Sequence, residues 1–191
     1  MRLGLSAIAL LVAVGASLSA CGSNPFTAGD AVILSDTVKL AAPTADSANV
    51  GSALDVIFEN AVRFPERVGD AGNWDVALRV EGGALVLRPI TTQAGFVGSS
   101  VLTDARTYES IKSAPGSGAF ADSINATQGN HTLALQQGKT YLVRSRQYLE
   151  TGVGVCVRYA KISAVEVNAA AATARLAVTS NGVCNDRRLN P

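Results

Sequence analysis

The sequence is poor in the side chains that most protein chemistry needs. It holds one His, His131, and three Cys, at 21, 156 and 184, among 191 residues. Multi-His and multi-Cys metal centres need more ligands than that, so no metal site is expected. Met occurs once, as the first residue. An excess of either charge is also missing, because 16 Lys+Arg face 15 Asp+Glu. A nucleic-acid groove needs a basic face and a polybasic membrane patch needs clustered cations. Neither is expected here. There is no internal repeat, no heptad and no long amphipathic helix. The hydrophobic fraction of 48% is too high for disorder. The length suits one domain.

The start carries one charge, Arg2, then an apolar run from Leu3 to Val14 and a small-residue exit. That is the pattern of a secretory signal. The run is too short for a spanning helix, which needs about 20 apolar residues. The exit, Leu18-Ser19-Ala20-Cys21, resembles the lipobox of bacterial lipoproteins. The resemblance implies that residues 1–20 are removed and that Cys21 becomes the acylated N-terminus. One acyl chain holds a protein only marginally, whereas two or three hold it firmly. Residue 22 is Gly rather than Asp, which by the same resemblance implies the outer membrane. Residues 21–30 then read as acylated Cys and short tether, and residues 31–191 as a single domain.

Within that domain strand signals dominate. Residues 31–40 alternate weakly and read as a strand. Val50 to Phe64 fits two patterns: Leu54, Ile57, Phe58 and Ala61 suit a helix, and Val56, Phe58, Val62 and Phe64 suit a strand. Trp74 to Glu81 and Ala84 to Ile90 flank Gly82-Gly83, a hairpin with a primed turn. Further short strands are expected at Phe96 to Leu102 and Thr107 to Ile111, with a mobile loop over Ser113 to Gly118. His131 to Leu135 and Thr140 to Tyr148 flank Gln136-Gln137-Gly138-Lys139, another hairpin signal. The fold class is mainly β, an antiparallel β-sandwich with at most one short helix, near residues 50–62.

The last third permits a sharper deduction. Val153 to Val167 and Ala172 to Ser180 are β-rich runs around a short loop. A hairpin symmetric about position 170 sets Ile162 opposite Val178 and Ala164 opposite Leu176, on an apolar face. Lys161 then meets Thr179, and Val165 meets Arg175, on the other. The same register sets Cys156 opposite Cys184. Opposed Cα atoms in an antiparallel pair lie about 4.5–5.5 Å apart, within disulfide range. A Cys156–Cys184 bridge is therefore expected, in a compartment that permits it.

Catalytic constellations are few. Gly116-Ser117-Gly118 is too short for a nucleophile elbow, and a Ser/His/Asp triad would have to use His131. Gly138-Lys139-Thr140 copies the end of a phosphate-binding loop, but Leu133 stands where its first glycine belongs. Carboxylates such as Asp75 with Glu66 or Asp70 could pair in space. Arg144, Arg146 and Arg158 lie on neighbouring expected strands and could bind a carboxylate or phosphate. Trp74 reads as a core anchor that, if exposed, could stack on a ligand. His131, Trp74, Arg144, Arg146 and Arg158 are thus the candidate ligand contacts.

Two segments resemble the haemophore-type β-lipoproteins of the HmuY family. One is Asn73-Trp74-Asp75-Val76-Ala77-Leu78-Arg79. The other is Thr140-Tyr141-Leu142-Val143-Arg144 with the later Arg158-Tyr159-Ala160-Lys161-Ile162. The resemblance implies an all-β fold and, in namesake members, haem held by paired axial His or Met. This chain departs from that pattern. His131 is alone, no Met remains after residue 1, and Gln147 to Cys156 interrupts the run between the strands. Bis-His ligation within one chain is impossible, so no cofactor is carried over. The expected function is a membrane-anchored envelope lipoprotein of non-enzymatic binding or structural type. A carrier of haem or another hydrophobic small ligand is the alternative. The expected partners are the membrane, through acyl chains, and a small ligand or an envelope protein.

Overall fold

The computed structural model describes residues 31–43, 49–91, 97–120 and 132–190. Residues 31–191 form one compact unit. Its described residues form twelve strands: β1 (Ile33–Ala41), β2 (Ala53–Asp55), β3 (Ala61–Arg63), β4 (Val76–Glu81), β5 (Ala84–Pro89), β6 (Ser100–Asp104), β7 (Leu133–Ala134), β8 (Thr140–Arg144), β9 (Tyr148–Glu150), β10 (Gly154–Cys156), β11 (Tyr159–Asn168) and β12 (Thr173–Asn181). One five-stranded sheet has the order β1-β12-β11-β8-β6, and the other β3-β2-β4-β5-β7. The strands β9 and β10 form a separate two-stranded ribbon. Every pairing among the described strands is antiparallel.

The two large sheets share one core, so the architecture is the expected sandwich. Leu40, Tyr141, Ile162 and Leu176 from one sheet pack with Leu54, Leu78 and Leu87 from the other. The period of two decides these faces. In β8, Tyr141 and Val143 point into this core. Leu142 points outward, into a second cluster with Ile111, Phe120, Tyr159 and Leu189.

Local signals hold where both partners are close in sequence. The strands β4 and β5 meet at Glu81 opposite Ala84. Gly82 and Gly83 both have positive φ, 57° and 81°, as a primed turn requires. In the β11–β12 hairpin, Ile162 faces Val178, Ala164 faces Leu176 and Lys161 faces Thr179, as expected. The expected Val165–Arg175 pair does not form. A bulge after Ala164 sets Glu166 opposite Arg175 instead and leaves Val165 half exposed.

Other expectations are corrected. Residues 50–62 hold no helix; the segment folds as β2 and β3, with Glu59 and Asn60 in the left-handed region between them. Thr107 to Ile111 is not a strand but a 3-10 turn over Tyr108–Ser110. Ser113 to Gly118 is not a free loop: Ser113 bridges to Arg188, the Ala114 amide donates to the Arg187 carbonyl at 2.8 Å, and residues 117–120 are helical. Gln136 to Lys139 is a turn, but not of a hairpin. It carries the chain from β7 in one sheet to β8 in the other. The Tyr141 hydroxyl fixes that crossing, donating to Ala134 O at 2.8 Å and accepting from Gln136 N at 2.9 Å.

The long run from Val153 is also split. Residues 157–158 separate β10 from β11, and the β11–β12 ladder stops at Ala160 opposite Ser180. Cys156 and Cys184 lie beyond its last rung, yet they form a disulfide with a Cα–Cα distance of 5.3 Å.

Candidate functional site

Two acids that end up side by side begin far apart. Asp55 closes β2, and Asp75 stands just before β4; both are fully buried. The β2–β4 pairing brings them together, and Arg146, after β8, reaches them from the other sheet. Its Nη1 lies 3.2 Å from Asp55 Oδ1 and 3.1 Å from Asp75 Oδ1. Arg63 adds a second guanidinium, 3.1 Å from Asp55 Oδ2.

Backbone amides take up the remaining lone pairs. Ile57 N and Phe58 N donate to Asp55 Oδ1 at 3.1 and 3.3 Å. Val56 N donates to Asp75 Oδ2 at 2.7 Å, and Arg146 N to Oδ1 at 2.8 Å. Burial pushes the Asp75 carboxyl up to about 6, against the pull of Arg146 and with the help of the Asp55 charge. These carboxylates are occupied. Their role is to hold the turn 56–60 in place. The expected partners of Asp75 are elsewhere: Glu66 pairs with Arg79 and Ser52, and Asp70 with Arg63 and the Phe64 amide.

That turn forms one wall of a cleft of about 500 Å³. Ile57, Phe58 and Glu59 face Tyr148, Leu149, Glu150 and Thr151 of the ribbon, and Arg158 also lines it. Arg158 is drawn across the cleft. Its Nε donates to the Tyr148 hydroxyl at 3.1 Å, its Nη1 donates to the Ile57 carbonyl, and its guanidinium lies over the Tyr148 ring. Tyr148 donates in turn to Glu150 at 3.0 Å, and burial raises its phenol above the ordinary value.

The ribbon is anchored at its foot. Cys156 is opposed to Tyr148 and bonded to Cys184. Asn185 accepts from Val157 N at 3.1 Å through its side chain and donates to Val157 O at 2.9 Å through its backbone.

The three expected arginines do not form one open cluster. Arg146 is in the buried ion network and Arg158 in the cleft. Arg144 is buried between Ser100 and Tyr159 in its sheet, where its Nη2 donates to Gly98 O at 3.3 Å. Among the described residues its Nε has no partner, and burial lowers its proton affinity. Trp74 is half-buried and belongs to neither core cluster, so the core-anchor reading fails. His131 and Cys21 lie outside the described residues.

Phe58, Tyr148 and Leu149 are not among the candidate ligand contacts that the sequence suggests. The signal for the ribbon was the interruption at Gln147 to Cys156. The signal for Asp55 was an acid between Leu54 and Val56.

No family model, no curated protein and no solved structure matches the chain. Among the described residues, no helix is long and apolar enough to cross a membrane.

Proposed function

We propose that the chain is a lipid-anchored envelope lipoprotein at the outer membrane, of binding rather than enzymatic type. The division of its three cysteines carries the reading. Cys156 and Cys184 are joined, a bond that persists in oxidising compartments and rarely in the cytosol. The third, Cys21, stands in the lipobox-like segment. The buried acids support a non-enzymatic role, since each accepts from backbone amides and guanidinium groups rather than facing a substrate. The cleft between Phe58 and Leu149 is the binding surface.

Mass spectrometry of the N-terminal peptide from membrane-purified protein tests the anchor. Diacylglyceryl-modified Cys21, lost together with membrane association in Cys21→Ser, is the expected result. An unmodified Cys21 in the middle of an uncut chain refutes it.

A second reading, a carrier of haem or another hydrophobic small ligand, draws on the apolar walls of the same cleft. Haemin titration of the protein distinguishes it. A saturable one-to-one shift of the haem band supports the carrier, and nonspecific broadening refutes it for haem.

A further inference from the structure

Exposed apolar side chains are ordinary when scattered and informative when contiguous. Here Val32, Phe58, Leu149, Val153 and Val155, five of the eight large apolar side chains exposed among the described residues, gather at one end of the sandwich. Leu149 and Val155 are cross-strand partners on the ribbon, 67% and 51% exposed. Val153 sits in the turn between them, its amide on Glu150 O. Phe58, 57% exposed, faces Leu149 across the cleft. Exposed Val32 is at the same end, because its carbonyl accepts the Gly182 amide at 2.7 Å, two residues before Cys184. Val80, beside the Gly82-Gly83 turn, lies at the other end of its strand from Asp75 and the cleft.

The patch is also stiff. A two-stranded ribbon alone is marginally stable, but this one is fastened by the disulfide and by Asn185.

The location of the patch names its occupant. Ala31 and Val32 are where the tether joins the domain, and only residues 22–30 separate them from Cys21. Ten residue steps span at most about 35 Å when extended, and about 17 Å as a flexible coil. An acylated Cys21 therefore holds this end, and not the Gly82-Gly83 end, close to the bilayer. Tethering raises the effective concentration enough to populate a contact that would be weak from solution.

We propose that this end rests on the bilayer, with Leu149, Val153, Val155 and Phe58 entering the boundary between headgroups and acyl chains. The contact is separate from the acyl anchor, but it rests on the lipoprotein reading because the tether delivers it. Glu59 and Glu150 outnumber Arg158 at the cleft, so the surface suits zwitterionic rather than anionic lipid.

The test uses acylated full protein reconstituted in phosphatidylcholine vesicles. Trp74, the single Trp, is replaced by Phe, and one reporter is introduced as Leu149→Trp, Val153→Trp or Val80→Trp. Lipids brominated high on the acyl chain then quench any indole at the boundary. The expected result is at least threefold stronger quenching at 149 and 153 than at 80, with a blue shift, not increased by anionic lipid. Equal quenching at 149 and 80 in acylated protein overturns the inference. So does a reporter shift that follows protein concentration without lipid, which assigns the face to a second copy. Mass spectrometry of the same sample reads Cys21 separately. An unacylated Cys21 overturns the anchor and, with it, this contact.

Discussion

Arg146 holds Asp75 twice: its backbone amide donates to Asp75 Oδ1 at 2.8 Å, and its Nη1 lies 3.1 Å from the same oxygen. One residue thereby joins the two sheets and fixes the carboxylate that holds the Val56 amide. The cleft wall depends on this pairing, because the turn carrying Phe58 hangs from Asp75 and Asp55.

Removing that guanidinium is expected to be costly. Arg146→Met leaves two buried carboxylates facing each other, and breaking a buried pair costs about 3–5 kcal/mol. Arg144→Met should behave in the opposite way. Among the described residues Arg144 has no carboxylate partner and one neutral acceptor, so an apolar side chain of similar length should be neutral or stabilising. Urea denaturation of both variants checks the contrast. Equal losses would show that the two arginines are held alike.

Asp75 should shape the pH dependence of stability. Its folded pKa, about 6, is above its ordinary value of 3.8, so the folded state binds the proton more tightly than the unfolded chain. This contribution is present in full below about pH 4 and is lost as the pH rises toward 6, to a total of about 3 kcal/mol. Asp104 and Asp186 act the other way: hydrogen bonds from Arg106 and Arg188 lower them, so their contribution is lost as the pH falls. Denaturation midpoints between pH 4.5 and 7 should fall with rising pH in the native protein. Asp75→Asn should remove that slope, and an unchanged slope would place its source elsewhere.

The disulfide closes a loop with a sequence separation of 28. In the chain-entropy model its loss costs about 3–4 kcal/mol. Cys156→Ala/Cys184→Ala should lower stability by that amount. It should also free the foot of the ribbon, so limited proteolysis should cut first between 148 and 158. A first cut in another segment would mean the ribbon is held by its other bonds.

Gly98 has no room for a side chain. A Cβ there would collide with the Ile90 carbonyl and the Thr91 backbone, and Ser99 is tied to Ile90 through both its amide and its hydroxyl. Gly98→Ala should cost about 1–3 kcal/mol or more. Gly69→Ala, which meets nothing within 4 Å, should leave the thermal midpoint almost unchanged. Similar midpoints for the two variants would show that β6 can shift away from Ile90.

Parts of the fold were legible because they depend on neighbours in sequence. Gly82-Gly83 announces its turn through the one backbone conformation that two glycines accept without strain. Cys156 and Cys184 were paired by counting in twos along a hairpin, although the ladder stops before reaching them. The bulge after Ala164 moves the inward positions from Ala160, Ile162 and Ala164 to Val167, and a symmetric count that assumes one residue per rung passes over it.

The candidate site was legible only in fragments. Asp55 and Arg146 are 91 residues apart, and no local pattern links them. Phe58 looked equally suited to a helix face and a strand face.

The sequence by itself determined the β-rich character, the near balance of charge, the pairing of Cys156 with Cys184 and the register of the last hairpin from Ala160 to Ala164. All of these follow from composition or from a period of two. The tertiary structure alone decided which sheet each strand joins. It turned Gln136 to Lys139 into a crossing, lifted residues 148–156 out as a ribbon, and buried two acids around one arginine. Such choices are settled by how two sheets stack and by which polar groups must be satisfied between them, and that information is spread over residues far apart in the chain.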